Sequence, residues 1–308
     1  MLALLFVLAR IIQPDYGASG LESLARASLP FAFAAAAQTV VVIAGGIDLS
    51  IASMMAVTSV TAAVLMDGAS EGFAIVAVIL VLLLGVGLGA INGLLIVITR
   101  VPDIVVTLAM LFVWEGVALL ILNTPGGGAA AWLRDLLVGP LTLPGVPASV
   151  TMWIPKAFVL LVVCLAVVWI PFLRSRFGLS VYAIGSSDHA AFRTGVAVNR
   201  VKIGAYAMAG LFAAMGGLVL TMSTGIGAPI PGPYLLASVA AVVLGGVVLG
   251  GGRGGLVGPI VAVFILRLVR TVLTFLAVDP NVTTIIEGTI MVVVVMIGGL
   301  LAVRGRRA

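Results

Sequence analysis

Long apolar runs fill most of this 308-residue chain, and its charged residues fall mainly between those runs. A run of about 20 apolar residues spans the hydrocarbon core of a bilayer as a helix. Only 9% of the residues are charged, whereas soluble domains carry roughly a quarter. Because so few charges cannot cover a water-exposed surface, we expect lipid to be the solvent and the fold to be an all-α integral membrane protein.

The runs predict about ten transmembrane helices in a single domain covering residues 1–308. They lie at 1–13, 29–45, 50–66, 73–99, 104–122, 152–173, 203–223, 235–250, 256–277 and 282–303. The first is short for a complete span, and no convincing signal-peptide cleavage site follows it. The second and third runs are separated only by the sequence GGIDLS, so we expect a broken helix there.

Basic residues predict the orientation of these spans, because cytoplasmic loops of membrane proteins are enriched in Lys and Arg. With both termini inside, the outer side carries only Arg26, Arg134 and Lys156. The cytoplasmic side then carries Arg100, Arg174, Arg176, Arg193, Arg200, Lys202, Arg253, Arg304, Arg306 and Arg307. The net charge of +5 is therefore explained by membrane orientation, and we expect no nucleic-acid partner.

Two polar segments interrupt the apolar pattern. Residues 123–151 are predicted to form an ordered external loop with a short helix around Trp132 to Val138. Residues 174–202 are predicted to face the cytoplasm, with Ser187 or Asp188 capping a short helix through Ala190 to Thr194. The pattern leaves open whether this second segment transmits force from a partner or only connects two spans.

The GGIDLS segment places a carboxylate, Asp48, inside an apolar region, directly after Gly45 and Gly46 and before Ser50. Charged groups within spans usually face protein or a water-filled cavity. The glycines loosen the helix, and the freed backbone groups then need partners. We interpret Asp48 first as a cap for a helix that begins near Leu49, and secondly as part of a pathway lining.

Other polar residues lie within the predicted spans. For Asn92 the pattern favours an interhelical hydrogen bond over substrate contact, and Gly85, Gly89 and Gly93 on the same span have the four-residue spacing of close helix packing. Glu115, beside Trp114, suits either sugar recognition or a position near the outer interface, and the second is favoured. Three more residues are candidates for an intramembrane ion pair, namely Arg267, Arg270 and Glu287.

Glycine-rich sequences near residue 250 admit two interpretations. The sequence AVVLGGVVLG at 241–250 resembles VVIAGGIDLS at 41–50, which indicates either an internal duplication or a coincidence of glycine pairs. Gly250 to Gly255 satisfies G-x-G-x-x-G but follows a membrane run, so a tight turn or helix packing is favoured over a dinucleotide site. A single Cys164 and a single His189 exclude an intrachain disulfide and a multi-histidine metal site.

Three motifs resemble the membrane permease of bacterial ABC importers for simple sugars, the ribose-type carbohydrate uptake family. They are GGIDLSIASMMAVT, the segment RFGLSVYAIGSSDHAAFRTGVAVNRVK, and ASVAAVVLGGVVLGGGRGGLVGP. A softer match is INGLLIVITRVPDIVVTLAM, and together the four motifs run in the family's order from about residue 29 to 299. The chain departs from the family's usual residues at Ile51, Ala52, Leu235, Ala237, Arg267 and Arg270.

The resemblance implies a non-enzymatic, multi-pass subunit of the bacterial inner membrane that moves a monosaccharide or related polyol. It implies a second permease copy, in a homodimer or heterodimer, and a periplasmic or lipid-anchored sugar-binding protein outside. ATP and Mg²⁺ would bind separate ATP-binding cassette subunits, since no G-x-x-x-x-G-K-[ST] sequence is present. Coupling to those subunits would fall on Gly185, Ser186, Ser187, Asp188, His189, Ala190, Phe192 and Gly195.

Three alternatives remain open from the sequence. A related permease for branched-chain amino acids or another small solute is kept open by Leu235 and Ala237. An ion- or proton-coupled carrier would require Asp48, Glu115 or Glu287 to titrate during transport. A structural membrane protein would have no use for the 174–202 segment.

Overall fold

A computed structural model describes residues 1–142 and 144–305 of the chain. The expected domain end at residue 308, together with Arg306 and Arg307, lies outside the described residues, as does Leu143 within the 123–151 segment. The described residues contain no β-strand. Their helices are α1 (Leu2–Ile12), α2 (Ala18–Ile43), α3 (Ile51–Met66), α4 (Phe73–Thr99), α5 (Asp103–Ile121), α6 (Ala131–Asp135), α7 (Ala148–Thr151), α8 (Lys156–Arg174), α9 (Arg176–Ser186), α10 (Asp188–Arg193), α11 (Val198–Thr224), α12 (Tyr234–Leu244), α13 (Val257–Phe275) and α14 (Pro280–Gly305).

Six of these helices are long and apolar enough to cross a membrane, namely α2, α4, α5, α8, α11 and α13. Shorter apolar helices occupy four further runs of the predicted pattern: α1, α3, α12 and the Pro280–Val294 part of α14. The all-helical membrane class expected from the sequence is therefore confirmed.

Two helix boundaries differ from the sequence pattern. The run predicted at 29–45 is only the second part of α2, which begins eleven residues earlier at Ala18. These earlier residues are more polar, but Glu22 accepts a hydrogen bond from the Gly139 backbone at 2.8 Å, so a tertiary contact supports the extra turns. The run predicted at 235–250 ends as a helix at Leu244, because Gly245 and Gly246 turn the chain out of α12.

Helix α2 forms the centre of the bundle. Its neighbours are α8, α11, α12 and α13, and its stretch Ala32–Ala37 is almost completely buried. Small side chains on a central helix let the surrounding helices approach closely. By contrast, α4, α5 and α8 leave most of their apolar side chains at least partly exposed, as expected of helices that face lipid.

Helices α4 and α11 cross at the glycines that the four-residue spacing identified. A Cβ atom on Gly89 would fall on the carbonyl oxygen of Tyr206, and one on Gly93 would lie 2.8 Å from the Cα of Ile203. A Cβ on Gly85 would meet the backbone of Gly210 on α11. The expected packing role of the three glycines is therefore confirmed by the close approach of the two backbones.

The two ends of the bundle are distinct. One end, the α9–α10 end, holds α9, α10, the start of α11 and the loop between α2 and α3. The opposite end holds the 123–151 segment, where Gly126 and Gly227 exchange two backbone hydrogen bonds of 3.1 and 2.8 Å. The short helix expected around Trp132 to Val138 is α6, which ends at Asp135.

We predict that Gly89→Ala destabilises the folded chain by about 1–3 kcal/mol, because the added methyl group overpacks the α4–α11 crossing. Gly87→Ala is the matched control, since nothing lies within 4 Å of a Cβ at that position on the same helix. The control should change stability by no more than about 1 kcal/mol, in the stabilising direction. Thermal unfolding of the purified proteins in detergent measures both changes, and equal effects would contradict the packing assignment.

Candidate functional site

The loop between α2 and α3, residues 44–50, begins with a glycine cap. Gly45 has φ of +91°, and the amide of Gly46 donates to the carbonyl of Val41 at 3.0 Å. A positive φ followed by a bond back across five residues is the helix ending that glycine favours. The chain thus leaves α2 at Gly45 and does not resume a helix until Ile51.

The similar glycine pair after α12 adopts the same ending. Gly246 has φ of +80°, and the amide of Val247 donates to the carbonyl of Val242 at 3.1 Å. The two segments that resemble each other in sequence therefore share a local structure. The glycines that follow the second segment touch the first, because the amide of Gly252 donates to the carbonyl of Ile43 at 2.9 Å.

Asp48 starts a buried chain of hydrogen bonds that crosses three parts of the fold. Its Oδ1 accepts from the Ser50 amide at 2.8 Å and from Ser50 Oγ at 2.6 Å. Asn92 Nδ2 on α4 donates to Ser50 Oγ at 2.7 Å, and Trp114 Nε1 on α5 donates to Asn92 Oδ1 at 3.1 Å. We call these four residues the polar chain. All four are buried.

The carboxylate of Asp48 therefore stabilises the turn that leads into α3, which starts at Ile51 rather than near Leu49. Ser50 occupies the cap position of α3, and its side chain turns back to Asp48 instead of capping a later amide. Asp48 Oδ2 and both amide atoms of Gln38 are buried without a hydrogen-bond partner among the described residues. Buried polar atoms of this kind are costly unless something else satisfies them.

Helix α5 holds the middle of the loop. The amide of Leu49 donates to Thr107 Oγ1 at 3.1 Å, and that hydroxyl lies 3.2 Å from the carbonyl oxygen of Ile47. Thr107 was not identified from the sequence, since a threonine in an apolar helix carries no distinctive pattern. It supplies partners for backbone groups that the broken helix leaves free.

The first residue of α5, Asp103, binds α11. Tyr206 donates its hydroxyl to Asp103 Oδ2 at 2.8 Å, and Lys202 Nζ lies 2.9 Å from Asp103 Oδ1. Gly46 lies next to this contact, because a Cβ on it would be 2.6 Å from the Tyr206 hydroxyl. Sequence reasoning assigned Lys202 only to orientation and did not identify Asp103 or Tyr206. A charged residue next to a proline at a helix start gave no sign of its distant partners.

The α9–α10 segment is held by two serine caps. Ser175 Oγ accepts from the Gly178 amide at 2.9 Å at the start of α9, and Ser187 Oγ accepts from the Ala190 amide at 3.2 Å at the start of α10. Of the two caps considered from the sequence, the structure therefore uses Ser187. The helix it caps runs from Asp188 to Arg193, earlier than the predicted Ala190 to Thr194.

The residues expected to couple to a partner divide into two groups. Gly185 faces inward, where an added Cβ would fall on the carbonyl oxygen of Ile43 and lie 2.6 Å from the amide of Gly252. The others are exposed at the α9–α10 end: Ser186, Ser187, Asp188, His189, Ala190, Phe192 and Gly195. Phe192 is 73% exposed and is the large apolar side chain that α10 presents at this end.

Glycines bring the α9–α10 segment into backbone contact with the α2–α3 loop. A Cβ on Gly251 would lie 2.8 Å from the Cα of Gly45 and 2.9 Å from the Cα of Gly185. Tyr182 on α9 also donates its hydroxyl to the carbonyl of Gly254 at 2.9 Å, and burial raises the pKa of this phenol, so it stays a donor. The glycine-rich 250–255 stretch is thus a packing element, as its membrane context predicted.

The remaining site residues lie elsewhere. Glu115 is half-buried on α5 and lies outside the polar chain. Arg270 Nη1 on α13 donates to Glu287 Oε2 on α14 at 2.9 Å. Arg267 lies over the ring of Phe31, with its guanidinium carbon 4.8 Å from the ring centroid. These three charged residues are separate from the α2–α3 loop. Among the described residues, no group of three or more His, Cys, Asp or Glu could hold a metal ion.

Comparisons with known proteins identify the class. The profile of the family described as "Branched-chain amino acid transport system / permease component" matches residues 20–295. This chain belongs to that family. Its members are membrane subunits of transporters and are not themselves enzymes.

Two relatives from Escherichia coli (strain K12) align over most of the chain. The ribose import permease protein RbsC is 33% identical over 273 residues, which cover 86% of this chain and 81% of the relative. The autoinducer 2 import system permease protein LsrD is 29% identical over 260 residues, which cover 84% of this chain and 77% of the relative. No solved structure matches the chain significantly.

We predict that Trp114→Phe lowers the free energy of unfolding by about 1–3 kcal/mol, because it leaves the buried Asn92 Oδ1 without its donor. Trp132→Phe is the matched control, since the Trp132 indole donates to the Glu71 carbonyl in a more exposed setting where water can replace it. Thermal unfolding in detergent compares the two variants. If Trp132→Phe proved the more damaging, the polar chain would not be a stabilising element.

Proposed function

We propose that this permease is the membrane-spanning subunit of a bacterial ATP-binding cassette importer for a monosaccharide or related polyol. The relatives named above are a ribose and an autoinducer 2 permease, and the GGIDLS, 174–202 and 237–259 motifs point to the same group. A substrate of the branched-chain amino acid type, which the family description names, is the second candidate. The aligned relatives, which are named for the import of ribose and of autoinducer 2, favour the first candidate.

The proposed architecture has ten spans, both termini in the cytoplasm and one domain over residues 1–308. In this orientation the α9–α10 end is cytoplasmic and the 123–151 segment is external. Basic residues support it, because the α9–α10 end carries Arg100, Arg174, Arg176, Arg193, Arg200, Lys202 and Arg253. The break at GGIDLS is proposed to lie within the membrane and to contribute to the wall of the pathway.

Partners are proposed on both faces. A soluble or lipid-anchored binding protein delivers the sugar to the external face, and a second permease copy completes the pathway. Two ATP-binding cassette subunits, which hold the ATP and Mg²⁺, dock on the exposed residues of α10. Binding and hydrolysis of ATP by these partners shifts the population between outward-open and inward-open states.

The observation that carries this proposal is the link between α10 and the α2–α3 loop. Exposed Phe192 provides an apolar contact for a partner, while Gly185, seven residues earlier near the end of α9, packs on Ile43 at the end of α2. A movement imposed on α9–α10 therefore reaches the loop through direct backbone contact. Because Gly185 is buried in that contact, substitutions that test docking belong at Phe192 rather than at Gly185.

We predict that Phe192→Asp removes the ATPase subunit from the purified complex, because a charge replaces the apolar contact. Ile230→Asp is the matched control: Ile230 is 68% exposed in the connection between α11 and α12, at the opposite end. The measurement is affinity purification from native membranes in mild detergent, with identification of the bound proteins. Recovery of the ATPase with Phe192→Asp, or its absence from the unaltered complex, would contradict the proposed docking.

We predict that uptake into proteoliposomes containing the whole complex requires ATP and persists when an ionophore collapses the membrane potential. An importer driven by partner ATPases needs no ion gradient, whereas a coupled carrier does. The measurement is accumulation of labelled ribose and of labelled leucine as probes, with and without ATP. Uptake driven by the potential in the absence of ATP would favour the carrier, and uptake of leucine alone would favour the second candidate substrate.

A further inference from the structure

Asp103, Lys202 and Tyr206 form a small charged cluster that the transport proposal has not used. The carboxylate of Asp103 receives both the Lys202 ammonium and the Tyr206 hydroxyl, one on each oxygen, at 2.9 and 2.8 Å. The Lys202 and Asp103 side chains are 22% and 13% exposed, and Tyr206 is fully buried. A pair this sheltered is screened less than a surface pair, and removing one partner leaves a charge without compensation.

This cluster lies against the α2–α3 loop. Gly46 lies so near that a Cβ on it would contact the Asp103 carboxylate and the Tyr206 hydroxyl. One helical turn further along α5, Thr107 contacts the backbone of both Ile47 and Leu49. The first two turns of α5 therefore hold the loop from Gly46 to Leu49, and Asp103 fixes those turns to α11.

The two residues that bind Asp103 come from the part of α11 at the α9–α10 end. Lys202 and Tyr206 are four residues apart and share one face of α11. Helix α11 begins at Val198, and only the four residues Thr194 to Ala197 separate it from the end of α10 at Arg193. Helix α11 therefore connects α10 directly to the Asp103 contacts of Lys202 and Tyr206.

We propose that Asp103, Lys202 and Tyr206 are positioning residues that form a clasp between α5 and α11, and that this clasp holds the α2–α3 loop closed until α10 moves. The clasp provides a second route from the α9–α10 end to the loop, beside the glycine contacts at Gly185. Since the loop also carries Asp48 and Ser50, release of the clasp frees the end of the polar chain. This inference rests on the proposed importer function for its transport readout.

The first test measures the loop directly and needs no partner protein. In a Cys164→Ala background, Ile47→Cys places a single thiol in the half-buried loop, and its alkylation rate reports loop opening. We expect Asp103→Asn or Lys202→Met to raise this rate by about 2- to 30-fold, the range over which substitutions along a coupling route change the coupling. Lys202→Arg keeps the charge and should stay near the unaltered rate. Asp135→Asn is the matched control, because this carboxylate is exposed at the opposite end.

The effects of the two clasp substitutions on the labelling rate should not be additive. If Asp103 and Lys202 act as one unit, the double variant Asp103→Asn/Lys202→Met should label no faster than the faster single variant. Fully additive effects, or labelling rates equal to that of Asp135→Asn, would overturn the clasp. Thermal unfolding of each variant is measured in parallel. An equal rise in labelling at a thiol placed instead at Ile154→Cys, which is half-buried like Ile47 but lies at the opposite end, would indicate global loosening and would also overturn it.

The second test measures coupling in proteoliposomes that contain the whole complex. We expect Asp103→Asn to lower the amount of probe sugar taken up per ATP hydrolysed by about 2- to 30-fold. Lys202→Arg, which keeps the charge, should leave this ratio unchanged. An unchanged ratio in a complex that transports normally would refute the coupling role while leaving the importer proposal intact. Absence of ATP-dependent uptake in the unaltered complex would refute the importer proposal, and the labelling test would then still decide whether the clasp exists.

Discussion

The need to satisfy backbone polar groups within an apolar bundle organises this protein around the α2–α3 loop. Where α2 ends at Gly45, the chain gives up helical hydrogen bonds in an apolar region, and each freed group costs several kcal/mol if it stays unpaired. Thr107 and the carboxylate of Asp48 supply partners for the amides of Leu49 and Ser50. The side chains of Ser50, Asn92 and Trp114 extend these contacts into α4 and α5.

Glycine makes this arrangement possible in two ways. At Gly45 and Gly246 it permits the positive φ that ends α2 and α12. At Gly185, Gly251 and Gly252 it lets three chain segments touch through their backbones, with no side chain between them. Contacts between backbones are stiff, and the proposed mechanism uses this stiffness to pass a displacement of α9 to the end of α2. The same property links the exposed surface of α10 to the interior.

Two charged clusters lie in different parts of the molecule. The Asp103 clasp lies at the α9–α10 end, beside the loop, whereas Arg267, Arg270 and Glu287 lie on α13 and α14. Arg270 is paired with Glu287, and Arg267 is stabilised by the face of Phe31, whose ring also packs on Tyr234.

The amino-acid sequence by itself determined the membrane class and the order of the long apolar helices, because hydropathy acts locally and needs no knowledge of distant contacts. It also identified Asp48, Ser50 and Asn92 as unusual, since polar groups stand out in an apolar run. Only the tertiary structure decided which of these meet. Trp114, Thr107, Asp103, Lys202 and Tyr206 come from helices up to 160 residues from the loop in sequence, and their side-chain types are ordinary for a helix or a helix end. Their role depends on helix packing, which brings together residues that no local pattern connects.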